Sequence, residues 1–329
     1  MARIWHLIAR PGPRLDASIF ALEDHPEPPL ADGEVRVANR WLSVDPYMRG
    51  VLDDGGGYMP LLPLGAAMNG GAVGEVIESR SDSLPPGSWV LHDLGWRDTA
   101  TLPAAACWPI PKNDAPIQRY LGHLGMPGQT AYFGLFDAAA AVPGDVLFVS
   151  AGAGAVGSAV VQIARINGMT VIASTSGAEK CEALRRWGAT AIDRSAPGTM
   201  RDKLAAAAPD GITAYFDNVG GDHLDAAIES ARPGARLALC GMIGGYGEDT
   251  LVLPKPMRIV IKSLRLRGFT SFEYNDRWEE FHRDMLRWTL SGELDSAETV
   301  HEGIGSVPAA FLELFSGGNR GKMLIRLPA

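Results

Sequence analysis

Val149-Ser-Ala-Gly152-Ala-Gly154-Ala-Val-Gly157 decides the fold. The stretch follows the apolar run Val146-Leu-Phe-Val149 and opens an amphipathic segment, about Ala155 to Ile166, with apolar residues at helical spacing. A strand, a G-x-G-x-x-G turn and a helix in that order read as a phosphate-binding unit. Gly152 permits the tight turn, Gly154 lets a pyrophosphate approach the backbone, and Gly157 lets helix and strand pack closely. The backbone at Ala155, Val156 and Gly157 then offers unpaired N–H groups and a positive dipole end to the phosphates. The expectation is a dinucleotide site; the alternative is glycines that serve only as turn residues.

Outward from this loop the same grammar repeats. Thr170-Val-Ile-Ala173 precedes a helix from about Ala178 to Trp187, and Ala214-Tyr-Phe216 and Arg236-Leu-Ala-Leu239 are further candidate strands. Continuous apolar strands alternating with helices predict an α/β domain with a doubly wound parallel sheet, covered on both faces. Before about residue 115 the pattern is instead short alternating segments broken by turns: Glu34–Ala38, Gly71–Ile77 and Ser88–Leu91. These predict a small all-β unit. Trp278, Phe281, Met285 and Trp288 recur at three- and four-residue steps, as the buried stripe of one helix does, and Lys322–Leu327 reads as a strand that returns to the first domain.

Composition narrows the function classes. With 329 residues, 46% of them apolar, the chain is long enough for two packed cores. A formal charge of −8 with scattered basic residues argues against nucleic acid and anionic membrane as partners. No stretch approaches the roughly 20 apolar residues of a spanning helix, and Met1–Arg10 is too short and too charged for a signal peptide, so the reading is cytoplasmic. Cys107, Cys181 and Cys240 lie far apart and form no disulfide framework.

The choice of dinucleotide falls at the tip of the second strand, where NAD enzymes place Asp or Glu on the ribose hydroxyls. This chain has Ser174-Thr-Ser-Gly177 there, with Lys180 three residues on and Arg194 after the next strand, Ala191-Ile192. A 2′-phosphate meets cations rather than a carboxylate in that reading, and the expected cofactor is NADPH/NADP. The alternatives are a solvated helix residue for Lys180 and a surface loop charge for Arg194.

Further segments carry a resemblance: Leu42-Ser-Val-Asp-Pro-Tyr-Met-Arg-Gly50, Gly125-Met-Pro-Gly-Gln-Thr-Ala-Tyr132, Tyr215-Phe-Asp-Asn-Val-Gly-Gly221, Cys240-Gly-Met-Ile-Gly-Gly-Tyr246 and Gly318-Asn-Arg-Gly-Lys322. In this order and spacing the chain resembles, end to end, the medium-chain dehydrogenase/reductase superfamily. Within it, the chain resembles the zinc-free prostaglandin reductase/leukotriene B4 12-hydroxydehydrogenase group, with its alkenal double-bond and curcumin reductases. The resemblance implies a GroES-like β-barrel catalytic domain, residues 1–117 with 300–329, and a Rossmann domain, residues 118–299. It also implies that Lys180 holds the 2′-phosphate. Asn218, the stretch Cys240, Gly241, Met242, Ile243 to Tyr246, the segment Thr270, Ser271, Phe272, and Asn319 would line the rest of the cofactor. A family tyrosine at the 2′-phosphate matches Arg194 with a one-residue gap and Ser195 without one. Gly247 and Gly65-Ala-Ala67 depart from the family pattern in loops expected to face substrate.

Zinc dehydrogenases of the superfamily polarise a carbonyl with a Cys/His-bound metal, but no cysteine stands near Ser43–Asp45 and no Gly-His-Glu near Met68–Gly71. His92 and His123 read as ordinary hydrogen-bonded or exposed histidines. Without a Lewis acid, an enone is the easier substrate: hydride reaches its β-carbon and the charge spreads onto the carbonyl oxygen as an enolate. Hydrogen-bond donors aimed there are worth on the order of 3 kcal/mol each. Tyr246 is the first candidate, since a phenol with its usual pKa of about 10 stays protonated at neutral pH. Tyr58 matches a family position facing substrate, and Tyr47 is expected to line the same pocket. The expected activity is NADPH-dependent reduction of the double bond of α,β-unsaturated ketones and aldehydes. The alternatives are a quinone reductase and a non-catalytic NADPH-binding protein. Homodimerisation through Ser263–Arg267, as a sheet edge, follows by family analogy.

Overall fold

The computed structural model describes residues 1–12, 15–52, 59–245 and 255–328. The chain divides into two compact units, Met1–Leu121 with Glu298–Ala329, and Gly122–Ala297. Among the described residues no helix is long and apolar enough to cross a membrane.

The first unit opens with β1 (Ala2–Leu7) and β2 (Phe20–His25), paired antiparallel as a separate ribbon. β3 (Glu34–Ser43), β4 (Ala72–Ser79), β5 (Trp89–His92), β6 (Thr99–Pro103) and β7 (Trp108–Pro109) follow. β3 is the hub: it pairs antiparallel with both β4 and β6. Its register shifts between Asn39 and Trp41, where an extra residue on β3 flips the side-chain parity of the strand. Val35 and Val37 therefore enter one apolar cluster, with Val76, Val90 and Leu102. Leu42, beyond the bulge, enters another with Leu7, Phe20, Met48 and Trp96.

The second unit carries six strands: β8 (Val146–Val149), β9 (Thr170–Thr175), β10 (Thr190–Asp193), β11 (Ile212–Asp217), β12 (Ala231–Leu239) and β13 (Arg265–Gly268). They form one sheet in the order β10-β9-β8-β11-β12-β13, every pair parallel. The doubly wound arrangement read from the sequence is what forms. Order reverses between β8 and β11, and the crevice at the carboxyl ends of those strands is where open α/β sheets bind ligands. The covering helices are α1 (Met126–Phe133), α2 (Ala155–Ile166), α3 (Ala178–Arg186), α4 (Met200–Ala207), α5 (Gly221–Ser230), α6 (Met257–Ile261) and α7 (Trp278–Ser291). Phe281, Met285 and Trp288 of α7 are buried, as their spacing predicts, while Trp278 is half-buried and packs edge-on against Phe281.

The chain then re-enters the first unit. β14 (Glu298–Glu302), α8 (Val307–Ser316) and β15 (Lys322–Arg326) follow, with β15 parallel to β14 and antiparallel to β3. The C-terminal strand thus completes the β-unit, and its Met323 and Ile325 join the Leu42 cluster.

Candidate functional site

The glycine loop sits at the switch point, between β8 and α2. Its left-handed residue is Ala151, with φ 49°, and not Gly152. That corrects the role expected of Gly152, which is needed for space: a Cβ there would lie 2.7 Å from the Ala173 methyl. Gly157 is needed for the same reason, since its Cβ would meet the Ala151 carbonyl at 2.3 Å. Gly154 is different. It is the extended residue that caps α2, and a Cβ there would meet only the Ala151 carbonyl, at 3.3 Å. Ala155 and Val156 are half-buried, and the first helical bond runs from Ser158 N–H to the Gly154 carbonyl, at 2.9 Å.

Of the helices that begin at this edge of the sheet, α2, α3 and α5 are each preceded by a glycine with no capping side chain of its own, whereas α4 is capped by Thr199. Two of the starts already hold a carboxylate. Asp193 accepts from Gly177 N–H at 3.1 Å before α3, and Asp217 accepts from Gly220 N–H at 2.8 Å before α5. At α2 the bond before the helix is backbone to backbone, Gly154 N–H to the Ala151 carbonyl at 2.9 Å. Its dipole end is the one matched to an outside anion.

The β9–β10 edge gathers cations. Lys180 lies half-buried in the first turn of α3. Arg194 donates from its backbone to the Thr175 carbonyl at 2.7 Å and from Nε to the Ser176 hydroxyl at 3.3 Å, so it reaches across to the turn. Lys203 carries no motif signal in the sequence; its ammonium donates to the carbonyls of Asp193 and Arg194, each at 3.1 Å, and fixes this loop. The tip is not free of carboxylate, as a reading along β9 alone implied. Asp193 comes in from the neighbouring strand, and hydrogen bonds from the Ser195 hydroxyl and the Gly177 N–H hold its carboxyl below the usual range. Ser195 is thereby turned onto Asp193. Ser174 is fully buried, and its hydroxyl has no hydrogen-bond partner among the described residues.

The β11 end is a knot around Asp217, fully buried. One of its oxygens accepts from Tyr215 OH at 2.7 Å, Ser150 Oγ at 3.1 Å, Val219 N–H at 2.9 Å and Gly220 N–H at 2.8 Å. Asn218 is tied to Ser150, the residue after β8, by its own N–H to Ser150 Oγ and by Nδ2 to the Ser150 carbonyl, at 2.8 and 2.7 Å. Burial first, and the Asp217 charge second, hold the Tyr215 phenol well above its usual pKa and push the Cys240 thiol up to about 12. Neither group ionises near neutral pH. Cys240 and Gly241 N–H donate to the Asp217 carbonyl, and Ile243 N–H to that of Asn218, so the Cys240–Ile243 segment is laid beside the knot, with Met242 against Gly220. Farther along the edge, Thr270 caps the next turn reciprocally with Glu273, Ser271 is half-buried and Phe272 is exposed.

In the first unit, Tyr47 stands in the Pro46–Val51 turn, packed against the Leu42 cluster. Beside it lies a group that sequence reading did not single out. The buried Lys322 ammonium donates to Asp45 at 2.6 Å and to the Val44 carbonyl at 3.0 Å, while the Ser43 hydroxyl donates to the same carboxylate. Burial drives the Lys322 pKa down against the pull of Asp45. Asn319 donates to the Gly321 carbonyl at 2.9 Å. Both candidate phenols, Tyr58 and Tyr246, lie outside the described residues. His92 is a satisfied core histidine, bonded to Asn39 and Leu94 and held neutral by burial, its pKa lowered to about 4. His123 is buried between the hydroxyls of Ser158 and Ser296.

Comparison with known proteins agrees with this layout. Residues 3–110 match the family described as the N-terminal domain of oxidoreductase, and residues 155–290 the family described as zinc-binding dehydrogenase. Prostaglandin reductase 1 of Bos taurus is 36% identical over 94% of this chain and 94% of its own. NADPH-dependent curcumin reductase of Escherichia coli is 34% identical over 99% and 96%. The crystal structure of CurA in complex with NADPH from Vibrio vulnificus superposes with a TM-score of 0.92 at 35% identity, covering 99% of both chains. Similarity of that extent, on this sheet order and this glycine loop, shows that the chain belongs to the medium-chain dehydrogenase/reductase superfamily, in the group of the prostaglandin and curcumin reductases.

Proposed function

We propose that this NADPH-dependent oxidoreductase reduces the carbon–carbon double bond of α,β-unsaturated ketones and aldehydes. The observation that carries the reading is the contrast among the three helix starts. Of α2, α3 and α5, α2 is the one that presents its first turn with no carboxylate bonded before it among the described residues, and the β9–β10 edge beside it supplies Lys180, Arg194 and Lys203. Bound there, NADPH would supply the hydride.

In this reading the α2 N-terminus and the bare backbone at Gly154 hold the pyrophosphate, and Lys180 and Arg194 hold the 2′-phosphate. Arg194 suits that role better than Ser195, whose hydroxyl is engaged by Asp193. Asn218, the Cys240–Ile243 segment, Thr270–Phe272 and Asn319 line the remainder. As hydride adds to the substrate β-carbon, the carbonyl oxygen takes up charge; Tyr246 and Tyr58 donate hydrogen bonds to it, with Tyr47 shaping the same pocket. The α-carbon then takes a proton, which Tyr246 can relay from solvent. Two copies associate through β13, the sheet edge next to α6, where Met257, Val260 and Ile261 are exposed.

The test is turnover of NADPH and NADH against 3-nonen-2-one, an alkenal and a quinone panel, with product analysis. The expected result is a saturated ketone formed with NADPH and little with NADH. Quinone turnover with untouched enone would replace this reading by quinone reduction, and tight NADPH binding with no turnover by a non-catalytic role. Tyr246→Phe is expected to lower kcat on the enone by about 100-fold, the size of one lost oxyanion donor.

A further inference from the structure

The β1–β2 ribbon brings together three side chains that the proposed reaction does not use. Ile4 pairs with Glu23 and Ala2 with His25, so His6, two residues along from Ile4, shares one face of the ribbon with Glu23 and His25. One donor atom from each of the three lies within 4.8 Å of the others. Nε2 of His25 stands 3.4 Å from the Glu23 carboxylate, and the two imidazole rings have their centres 4.8 Å apart, inclined by 27°. Nδ1 of His6 is 2.9 Å from the Gly65 carbonyl. A carbonyl can only accept, so Nδ1 carries the proton and Nε2 the lone pair. The Nε2 atoms of both histidines are buried and have no hydrogen-bond partner among the described residues.

We propose that His6, Glu23 and His25 bind one divalent transition-metal ion of the zinc type, as a structural staple. Two imidazole nitrogens and a carboxylate oxygen are a ligand set for such an ion. Two imidazoles on one tetrahedral zinc, with Zn–N near 2.0–2.1 Å, have ring centres about 5 Å apart, close to the separation seen. Donors on such an ion are about 3.3 Å apart, a spacing that the His25–Glu23 pair already has at 3.4 Å, with all three donors within 4.8 Å of one another. The Gly65 carbonyl supplies the outer hydrogen bond that fixes the tautomer of a metal-bound histidine. The side chains of His25 and Glu23 are 39% and 50% exposed, which leaves an entry path and room for water as a fourth ligand. Gly65, Ala66 and Met68 are already hydrogen-bonded to β1, through Leu7 and Trp5. The ion would tie β2 to the same segment and so brace its neighbours Gly65-Ala-Ala67.

The test is zinc titration of full-length, untagged, EDTA-stripped protein by calorimetry, with cobalt as an optical probe of ligand geometry. One equivalent of zinc is expected to bind and to raise the melting temperature, and cobalt to give a tetrahedral spectrum. Glu23→Gln, at an exposed position, and His25→Gln are each expected to weaken zinc binding at least about 10-fold. If His25→Gln fails to fold, Glu23→Gln decides. Absence of saturable binding near one equivalent in the wild-type protein, or wild-type affinity in the folded variants, would overturn the proposal.

Discussion

Two buried aspartates hold the two units' loops in place, and they do it differently. One oxygen of Asp217 in the Rossmann unit accepts from neutral donors, two hydroxyls and two backbone N–H groups, all but Ser150 within three residues of it in sequence, while its other oxygen has no hydrogen-bond partner among the described residues. Asp45 in the β-unit is satisfied by an ammonium from the far end of the chain, Lys322, 277 residues away. The first arrangement spreads one acceptor over many weak bonds; the second concentrates the balance in one charge pair, where loss of a partner leaves a bare ion. The difference also decides what a sequence can reveal. A local knot announces itself as Asp-Asn-Val-Gly-Gly, whereas a pair closed only by strand pairing does not.

Breaking the long-range pair gives the largest expected effect. Lys322→Met strands the Asp45 carboxylate and is expected to cost about 3–5 kcal/mol in urea unfolding. Adding Asp45→Asn should recover part of that loss, and a purely additive double variant would contradict the pairing. A third buried group, His92, gives the β-unit a pH handle. Below the ordinary histidine pKa of 6.5 the unfolded chain takes up a proton that His92 refuses until about pH 4. Stability should therefore fall as pH drops through that window, by up to about 3 kcal/mol, and His92→Gln should flatten the slope.

The Asp217 knot should yield less to single changes. Tyr215→Phe removes one of four donors without opening a cavity, since the ring still stacks on Phe148 at 5.0 Å, and is expected to cost about 1 kcal/mol in the same unfolding assay. A loss as large as that of Lys322→Met would erase the distinction between the two designs.

Legibility followed the same division. The strand-loop-helix unit at Val146–Ile166 forms with the predicted bounds, because apolar runs and glycine spacing are local signals. The glycine spacing gives Gly152 a turn that Ala151 makes, because the crowding at Ala173 that demands glycine comes from the next strand. Asp193 at the β9 tip is silent in the sequence for the same reason: β10 pairs parallel with β9, and that register puts its last residue against Gly177. Lys322 was visible as part of Gly318–Lys322, but nothing along the chain points to Asp45.

The central claim is that cations at the β9–β10 edge select the phosphorylated cofactor. Its most direct test is the ratio of kcat/KM for NADPH over NADH, measured with one enone, in the wild-type protein and in Lys180→Ala. A charge-assisted hydrogen bond of about 1.5–3 kcal/mol predicts a ratio lowered about 10- to 100-fold, with the NADH value unchanged. An unchanged ratio, or a wild-type preference for NADH, would contradict it.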